Sequence, residues 1–327
     1  MIPQIHSMAS ASGEQSIVVI GTRGSALALW QSDHVAALLQ RKIPGLKIEI
    51  KKIKTTGDKI LDSPLSKIGD KGLFTKELDR ALLDFEADIA VHSLKDIPTQ
   101  VPEGLTIAAI LEREEVRDIF IPNPAHAGLK LGEVPEGGEI ATGSLRRRCQ
   151  LLNLRPDIRI ADIRGNLDSR IRKLKDSGWS GMILAYAGIT RLGMNQVIGE
   201  VLPVSIMLPA VGQGAVAVMA RQDDITILSM LESLDHRPTR LATLAERALL
   251  RRMEGGCQIP IGAYASLTGN RMDLQALVGS LDGTQVIRDS CDGNPEDYER
   301  LGTELADRLV EKGAGDILNE IRKITKW

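Results

Sequence analysis

The chain is poor in aromatic residues, with three Phe, three Trp and three Tyr, or 3% of the sequence. Nucleic-acid bases stack on aromatic faces, so this scarcity disfavours a base-binding platform and leaves the core to Leu, Ile, Val and Ala. Cysteine is equally sparse: Cys149, Cys257 and Cys291 form an odd set with no C-x-x-C spacing. That argues against a disulfide framework and fits a reducing compartment. The five histidines are scattered, and neither an HExxH nor a P-loop occurs, so no metal or nucleotide site is expected. Charge of one sign is also missing, since 41 Lys and Arg against 43 Asp and Glu leave a net charge of -2. Such a balance excludes a global basic footprint for nucleic acid or an anionic membrane. No apolar run approaches the roughly 18 to 20 residues of a membrane helix, and the longest, residues 181–189, is strand-sized. Residues 1–16 carry no basic n-region or apolar h-region and read as a disordered leader, so a cytoplasmic location is expected.

What is present is a globular composition, 43% hydrophobic and 26% charged, in 327 residues. That length exceeds one ordinary core and predicts two or three domains. A short β-branched run at residues 17–20 leads into Gly21-Thr22-Arg23-Gly24-Ser25 and then an apolar helical period from Ala26. Ser25 is a natural N-cap, leaving free backbone N–H groups beside Arg23 where an anion can sit. About 120 residues further on the phrase recurs as Ile140-Ala141, Thr142-Gly143-Ser144 and a helical pattern through Leu145, Cys149 and Leu152. Each copy is followed by an apolar strand ending in a polar turn: residues 88–91 into 92–96, and residues 182–185 into 187–191. Two similar α/β domains with mainly parallel sheets follow, their sites at strand carboxyl ends. Pro- and Gly-rich residues 122–138 and 208–214 are candidates for sharp turns or interdomain crossings, and the second reads as a crossover. From Pro238 the pattern becomes one helix stopping at Gly255-Gly256, three antiparallel strands around an Asp282-Gly283 turn, and a closing amphipathic helix over about residues 296–311.

Residues 141–191 hold nine arginines and two lysines against four aspartates, a local excess of +7 hidden by the neutral total. The planar fork of arginine suits carboxylate or phosphate held in fixed orientation. A single arginine on a helix is ordinarily solvated, but Arg146 and Arg147 fall just past an N-cap at a strand end and are read as anion ligands. Residues 67–74, with Lys67, Lys71 and Phe74, form a glycine-punctuated basic loop that reads equally as a flap or as plain surface. Lys95-Asp96 lies where a carboxylate faces a cleft, while the neighbouring His92 reads as structural. Cys257 on an open loop and Cys149 among arginines compete as nucleophile, and spacing does not separate them.

Thr22-Arg23-x-Ser25-x-Leu27-Ala28, Leu61-Asp62-x-Pro64-Leu65-x-Lys67-Ile68-Gly69-x-Lys71-Gly72-Leu73-Phe74, His92-Ser93-Leu94-Lys95-Asp96, Leu145-Arg146-Arg147, and Glu246-Arg247 through Glu254-Gly255-Gly256-Cys257-Gln258-x-Pro260-Ile261-Gly262 together resemble the porphobilinogen deaminase (hydroxymethylbilane synthase) family over nearly the whole chain from Ile17. The resemblance implies two periplasmic-binding-protein-like α/β domains plus a smaller α+β domain with a three-stranded antiparallel sheet. Its domain limits are 17–112 with 212–232, then 117–208, then 237–327. It implies a transferase that condenses four porphobilinogens head to tail, releasing ammonia, into hydroxymethylbilane. A dipyrromethane cofactor joined to Cys257 by a thioether would prime the chain, which chooses Cys257 over Cys149. Asp96 would be the catalytic carboxylate, and Arg23, Ser25, Lys67, Lys95, Thr142, Ser144, Arg146, Arg147, Arg164, Arg170 and Arg191 would hold cofactor and substrate carboxylates. Lys71 and Phe74 would belong to the flap, which would flex with the domain hinge as rings are added. A monomer with neither nucleic-acid nor membrane partner is expected. Arg148 and Asp70 stand where relatives often have glutamine and glycine. Rival readings are a two-lobed carboxylate-binding protein without chemistry, whose ligand would be removable, and an RNA-binding protein.

Overall fold

The computed structural model describes residues 17–59, 72–253 and 259–325. The expected leader, Lys67, Asp70, Lys71, the Gly255-Gly256 helix stop and Cys257 lie outside the described residues.

Strand β1 (Ile17–Thr22) arises from the β-branched run, and the chain then turns through Arg23 to Ser25 into helix α1 (Ala26–Lys42). Ser25 caps that helix, its Oγ accepting from the Ala28 amide at 3.3 Å. β1 lies between β2 (Lys47–Lys52) and β3 (Ile89–Ser93), both parallel to it. The sheet, here called lobe A, has the order β2-β1-β3-β10-β4, with β4 at Leu105–Ile110 and β10 at Val216–Arg221. β10 runs antiparallel to both its neighbours.

A second five-stranded sheet, lobe B, repeats the plan in the order β7-β6-β8-β5-β9. Its strands are β5 (Asp118–Pro122), β6 (Glu139–Ala141), β7 (Arg159–Ala161), β8 (Gly181–Ala185) and β9 (Glu200–Val201). Here β5 is the antiparallel member. The chain passes from lobe A to lobe B between β4 and β5 and returns between β9 and β10. In each lobe the strand that follows a crossing is therefore inserted between the third strand and the edge. The two crossings meet at Gly214, whose φ of +89° suits glycine and where a Cβ would come 2.6 Å from the Glu114 carbonyl oxygen.

The antiparallel sheet of β11 (Ile261–Thr268), β12 (Arg271–Gly279) and β13 (Val286–Gly293) forms the third unit. Helices Arg237–Arg252 and Tyr298–Leu309 cover one face, with Leu249, Leu274 and Leu305 fully buried between the layers. Lobe B rests on this sheet at Gly279, where a Cβ would meet Cys149 Sγ at 2.8 Å.

The expected two α/β units and an α+β third unit are present, but the sheets expected to be mainly parallel are mixed, each with two parallel and two antiparallel pairs, because the strand after each crossing enters in the reverse direction. Residues 122–138, open between a sharp turn and a crossing, turn within lobe B, because β5 has already joined that sheet at Asp118. Two further expectations need correction. Residues 187–191, read as a polar turn, belong to helix Tyr186–Arg191. The helix expected to close the chain is followed by another, Gly315–Thr325, since Gly313 at φ +102° kinks the chain without ending the helical course. Among the described residues no helix is long and apolar enough to cross a membrane.

Candidate active-site cleft

Between the lobes lies a cleft of about 570 Å³. The β1–α1 loop supplies Arg23 and Ser25, and the turn after β3 supplies Lys95 and Asp96. Lobe B supplies Gly143 and Arg147, the loop of Arg164, Gly165 and Asn166, then Arg170, and Arg191 from helix Tyr186–Arg191. Both duplicated loops thus face the same space, as the carboxyl ends of parallel strands should. Ser25, Ser144 and Asn166 cap three helices here, each side-chain oxygen accepting from the first turn, so three positive helix ends border the cleft.

Seven cations line the cleft (Arg23, Lys54, Lys95, Arg147, Arg164, Arg170 and Arg191) against three carboxylates (Asp58, Asp96 and Asp168). Burial lowers the pKa of Arg170 to about 10, and the adjacent charges of Arg147 and Arg164 add to the effect. Burial also lowers Lys95 to about 8, with Arg147 reinforcing the shift and Asp96 and Asp118 opposing it. Three guanidinium nitrogens here, Arg147 Nε, Arg164 Nη2 and Arg191 Nε, are buried without a hydrogen-bond partner. Buried donors left unpaired are costly, and an anionic ligand removes that cost.

Several cleft cations, Arg191 through its Nη2 nitrogen among them, are engaged within the protein. Arg23 donates through Nε to both oxygens of Asp58 at 3.2 Å, and its guanidinium lies 4.2 Å over the Phe74 ring. Burial favours neutral Asp58, but hydrogen bonds from Arg23 and Thr55 outweigh it and lower its pKa. Arg170 Nε donates to the Gly165 carbonyl at 2.8 Å, and Arg191 Nη2 to the Gly214 carbonyl at 2.6 Å. Trp30 of lobe A lies 5.6 Å from the Arg191 guanidinium.

Of the residues singled out from the sequence, Arg23, Ser25, Phe74, Lys95, Asp96, Arg147, Arg164, Arg170 and Arg191 come together in this cleft. Thr142, Ser144 and Arg146 do not line it. Thr142 Oγ1 accepts from the Ser144 amide at 3.2 Å, and Ser144 Oγ from the Arg147 amide at 3.4 Å, so both shape the loop. Arg146 is buried, donating to Asp118 Oδ2 at 2.8 Å and to the Leu208 carbonyl at 2.6 Å. Arg148, which departs from the family pattern, reaches away to the Leu281 carbonyl at 2.9 Å. Cys149 is corrected as a nucleophile candidate: it is fully buried, its thiol donates to the Arg146 carbonyl at 3.2 Å, and burial pushes its pKa up to about 12. His92 is buried and kept neutral, its pKa lowered to about 4 by burial and by Arg23. Asp58, Asn166 and Asp118 escaped the sequence reading. Asn166, three residues before Ser169, offered a capping signal, whereas the aspartates offered none.

Sequence comparison places these features among known proteins. A model described as "Porphobilinogen deaminase, dipyromethane cofactor binding domain" matches residues 18–229, and one described as "Porphobilinogen deaminase, C-terminal domain" matches residues 240–311. A protein of Syntrophomonas wolfei named porphobilinogen deaminase is 51% identical over 304 residues, covering 93% of this chain and 98% of that protein. A protein of the same name from Chlorobium phaeobacteroides is 50% identical over 310 residues, covering 94% and 98%. Among solved structures, the BvgS periplasmic VFT2 domain of Bordetella pertussis superposes with a TM-score of 0.41 at 14% identity, over 67% of this chain and 86% of that one.

Proposed function

Because the chain belongs to the porphobilinogen deaminase family, which condenses four porphobilinogens head to tail into hydroxymethylbilane with loss of ammonia, we propose that the interlobe cleft is where this chain carries out that condensation. The observation that carries the assignment is the cluster of cleft cations with unpartnered guanidinium nitrogens around Asp96. Membership of the family sets aside the reading of a carboxylate-binding pair of lobes without chemistry.

Each porphobilinogen brings an acetate and a propionate, so the charge of the bound chain grows by two carboxylates per ring. The unpaired N–H groups of Arg147, Arg164 and Arg191 match such acceptors, and Arg23, Arg170 and Lys95 add fixed positive charge. The same donors fit the four carboxylates of dipyrromethane, the cofactor of this family. Cys257, outside the described residues, would hold it by a thioether, and when bound it supplies the primer end to which the first ring is joined. Arg146, Thr142 and Ser144 contribute indirectly, by setting the loop from which Arg147 projects. Lys67 and Lys71, also outside the described residues, would serve the flap that ends at Phe74.

Asp96 acts on the substrate. Loss of ammonia from the aminomethyl group leaves a cationic methylene-pyrrolenine, whose positive charge a carboxylate near the ring nitrogen stabilises. The same carboxylate takes the proton released when the new bond restores aromaticity. Bound side chains are held by arginines on both lobes, which fixes the reacting carbons against each other and limits the search for a productive pose.

The reading extends to organisation. The breaks expected near residues 112–117, 208–212 and 232–237 are supported by the three separate sheets. The net charge of -2 supports a protein without nucleic-acid or membrane partners, and the chain is read as a cytoplasmic monomer. Intact mass of the purified chain beside Cys257→Ala, with a dimethylaminobenzaldehyde colour test for dipyrroles, tests the site. A covalent excess of two pyrrole units, lost in the variant, supports it, and an unmodified wild type from cells making porphobilinogen overturns it.

A further inference from the structure

One carboxylate outside the cleft is linked to both of its walls, directly to Arg147 and through Gln213 to Lys95. Asp118 opens β5 directly after the first crossing and is fully buried. Its Oδ1 accepts from Arg147 Nη2 at 2.7 Å and from Gln213 Nε2 at 2.9 Å, and its Oδ2 accepts from Arg146 Nη1 at 2.8 Å. Gln213, 1% exposed, lies on the second crossing, and its amide also donates to the Val116 carbonyl at 2.7 Å. Both amide hydrogens are then engaged, and the remaining acceptor, Oε1, faces Lys95 Nζ at 3.5 Å. Turning the amide over would set its oxygen against the Asp118 carboxylate and the Val116 carbonyl, so the acceptors around it force the orientation. An unbroken polar run therefore joins Arg147 in lobe B to Lys95, the neighbour of Asp96, in lobe A.

We propose that Asp118 and Gln213 are positioning residues for the condensation, Asp118 aiming Arg147 at the cleft and locking the Gln213 amide so that Lys95 and Asp96 keep a fixed place opposite it. The proposal rests on the cleft assignment above. Asp118 and the Ile183 carbonyl hold the two Nη groups of Arg147, which leaves Nε as its unpaired donor. The fork is thus anchored at its far end and free at the edge a carboxylate needs.

Two variants test this. Gln213→Met keeps the length of the side chain and removes its hydrogen bonds; Asp118→Asn keeps the shape and removes the charge. Both are compared with wild type for thermal midpoint and for kcat and KM with porphobilinogen from neutral to alkaline pH. The charged groups facing Lys95 are Asp96, Asp118, Arg146 and Arg147. Loss of an acceptor or of the Asp118 charge favours neutral Lys95, so the alkaline limb of kcat moves to lower pH in both variants. A fall in kcat of about tenfold to a hundredfold is expected, with KM changed less, Gln213→Met melting near wild type, and the double variant no worse than Asp118→Asn. Gln213→Met with wild-type kcat and limb overturns the proposal, as does a rate loss that follows lost stability with the limb unmoved. If Asp118→Asn does not fold, Gln213→Met decides alone. A wild type that makes no linear tetrapyrrole overturns the cleft assignment itself, a result read before any variant is compared.

Discussion

Lys95 and Asp96 are adjacent in the chain and both line the cleft, yet their chemistry separates them. Asp96→Asn keeps the shape and removes the base, so kcat should fall by about 10² to 10⁴ while KM changes little, measured by steady-state formation of the linear tetrapyrrole. Lys95 carries its charge below about pH 8 and loses it above. Rate that depends on that cation is therefore present on the acid side and lost as pH rises through that value. Lys95→Arg, charged throughout, should abolish this limb even where the absolute rate is lower, and a pH profile of kcat/KM checks it. The local parts of this site were legible because their signals are local: Ser25 and Ser144 stand three residues before the amides they cap. Position past the Ser144 cap singled out Arg146 and Arg147 as anion ligands, but it did not tell the two apart, and roles for Arg23, Arg164, Arg170 and Arg191 came from family resemblance. The fold sends Arg146 and Arg147 to Asp118 and Arg148 to Leu281. Asp118 was illegible because its partners lie 28, 29 and 95 positions away.

At the scale of elements, helix Lys76–Leu83 carries a buried acid on its inner face. Burial, with Glu77 adding to it and Thr75 opposing, raises the Asp79 pKa from 3.8 to about 6. Between those values the folded chain keeps a proton that the unfolded chain has released. Stability therefore falls as pH rises through that window and stays lower above it. Asp79→Asn should flatten the dependence and make the protein more stable than wild type at neutral pH by ~1–3 kcal/mol, seen in denaturant melts across pH. Ser144→Ala should cost about 0.5–2 kcal/mol through the lost cap and loosen the turn that carries Arg147. Periodicity revealed strands and helix faces well, for it records burial. It failed after residue 311 because a glycine that kinks a helix and one that ends it are the same letter, and only the packing of Ile317, Leu318 and Ile321 on the third sheet decides.

For the whole molecule, Glu246 joins three parts. It is fully buried, takes a bidentate pair from Arg113 at 2.6 and 3.1 Å, and accepts from the Gly212 amide at 2.7 Å and the Ala265 amide at 2.9 Å. Both crossings and the third sheet thus meet on one carboxylate. Glu246→Ala leaves a buried guanidinium uncompensated and should cost about 3–5 kcal/mol, with unfolding of the third unit separating from that of the lobes in calorimetry. The first crossing, residues 111–117, contains no glycine or proline. Composition marked residues 122–138 and 208–214 as turns or crossings and gave no signal at 111–117. The reciprocal insertion of β5 and β10 also orders events during synthesis. Lobe B is continuous in sequence and has its five strands once Val201 has left the ribosome. Lobe A begins at Ile17 but needs β10 between β3 and β4, so its sheet stays open until Arg221 emerges. Until then the nascent chain exposes facing edges of β3 and β4, the interval in which a holding chaperone has most to cover.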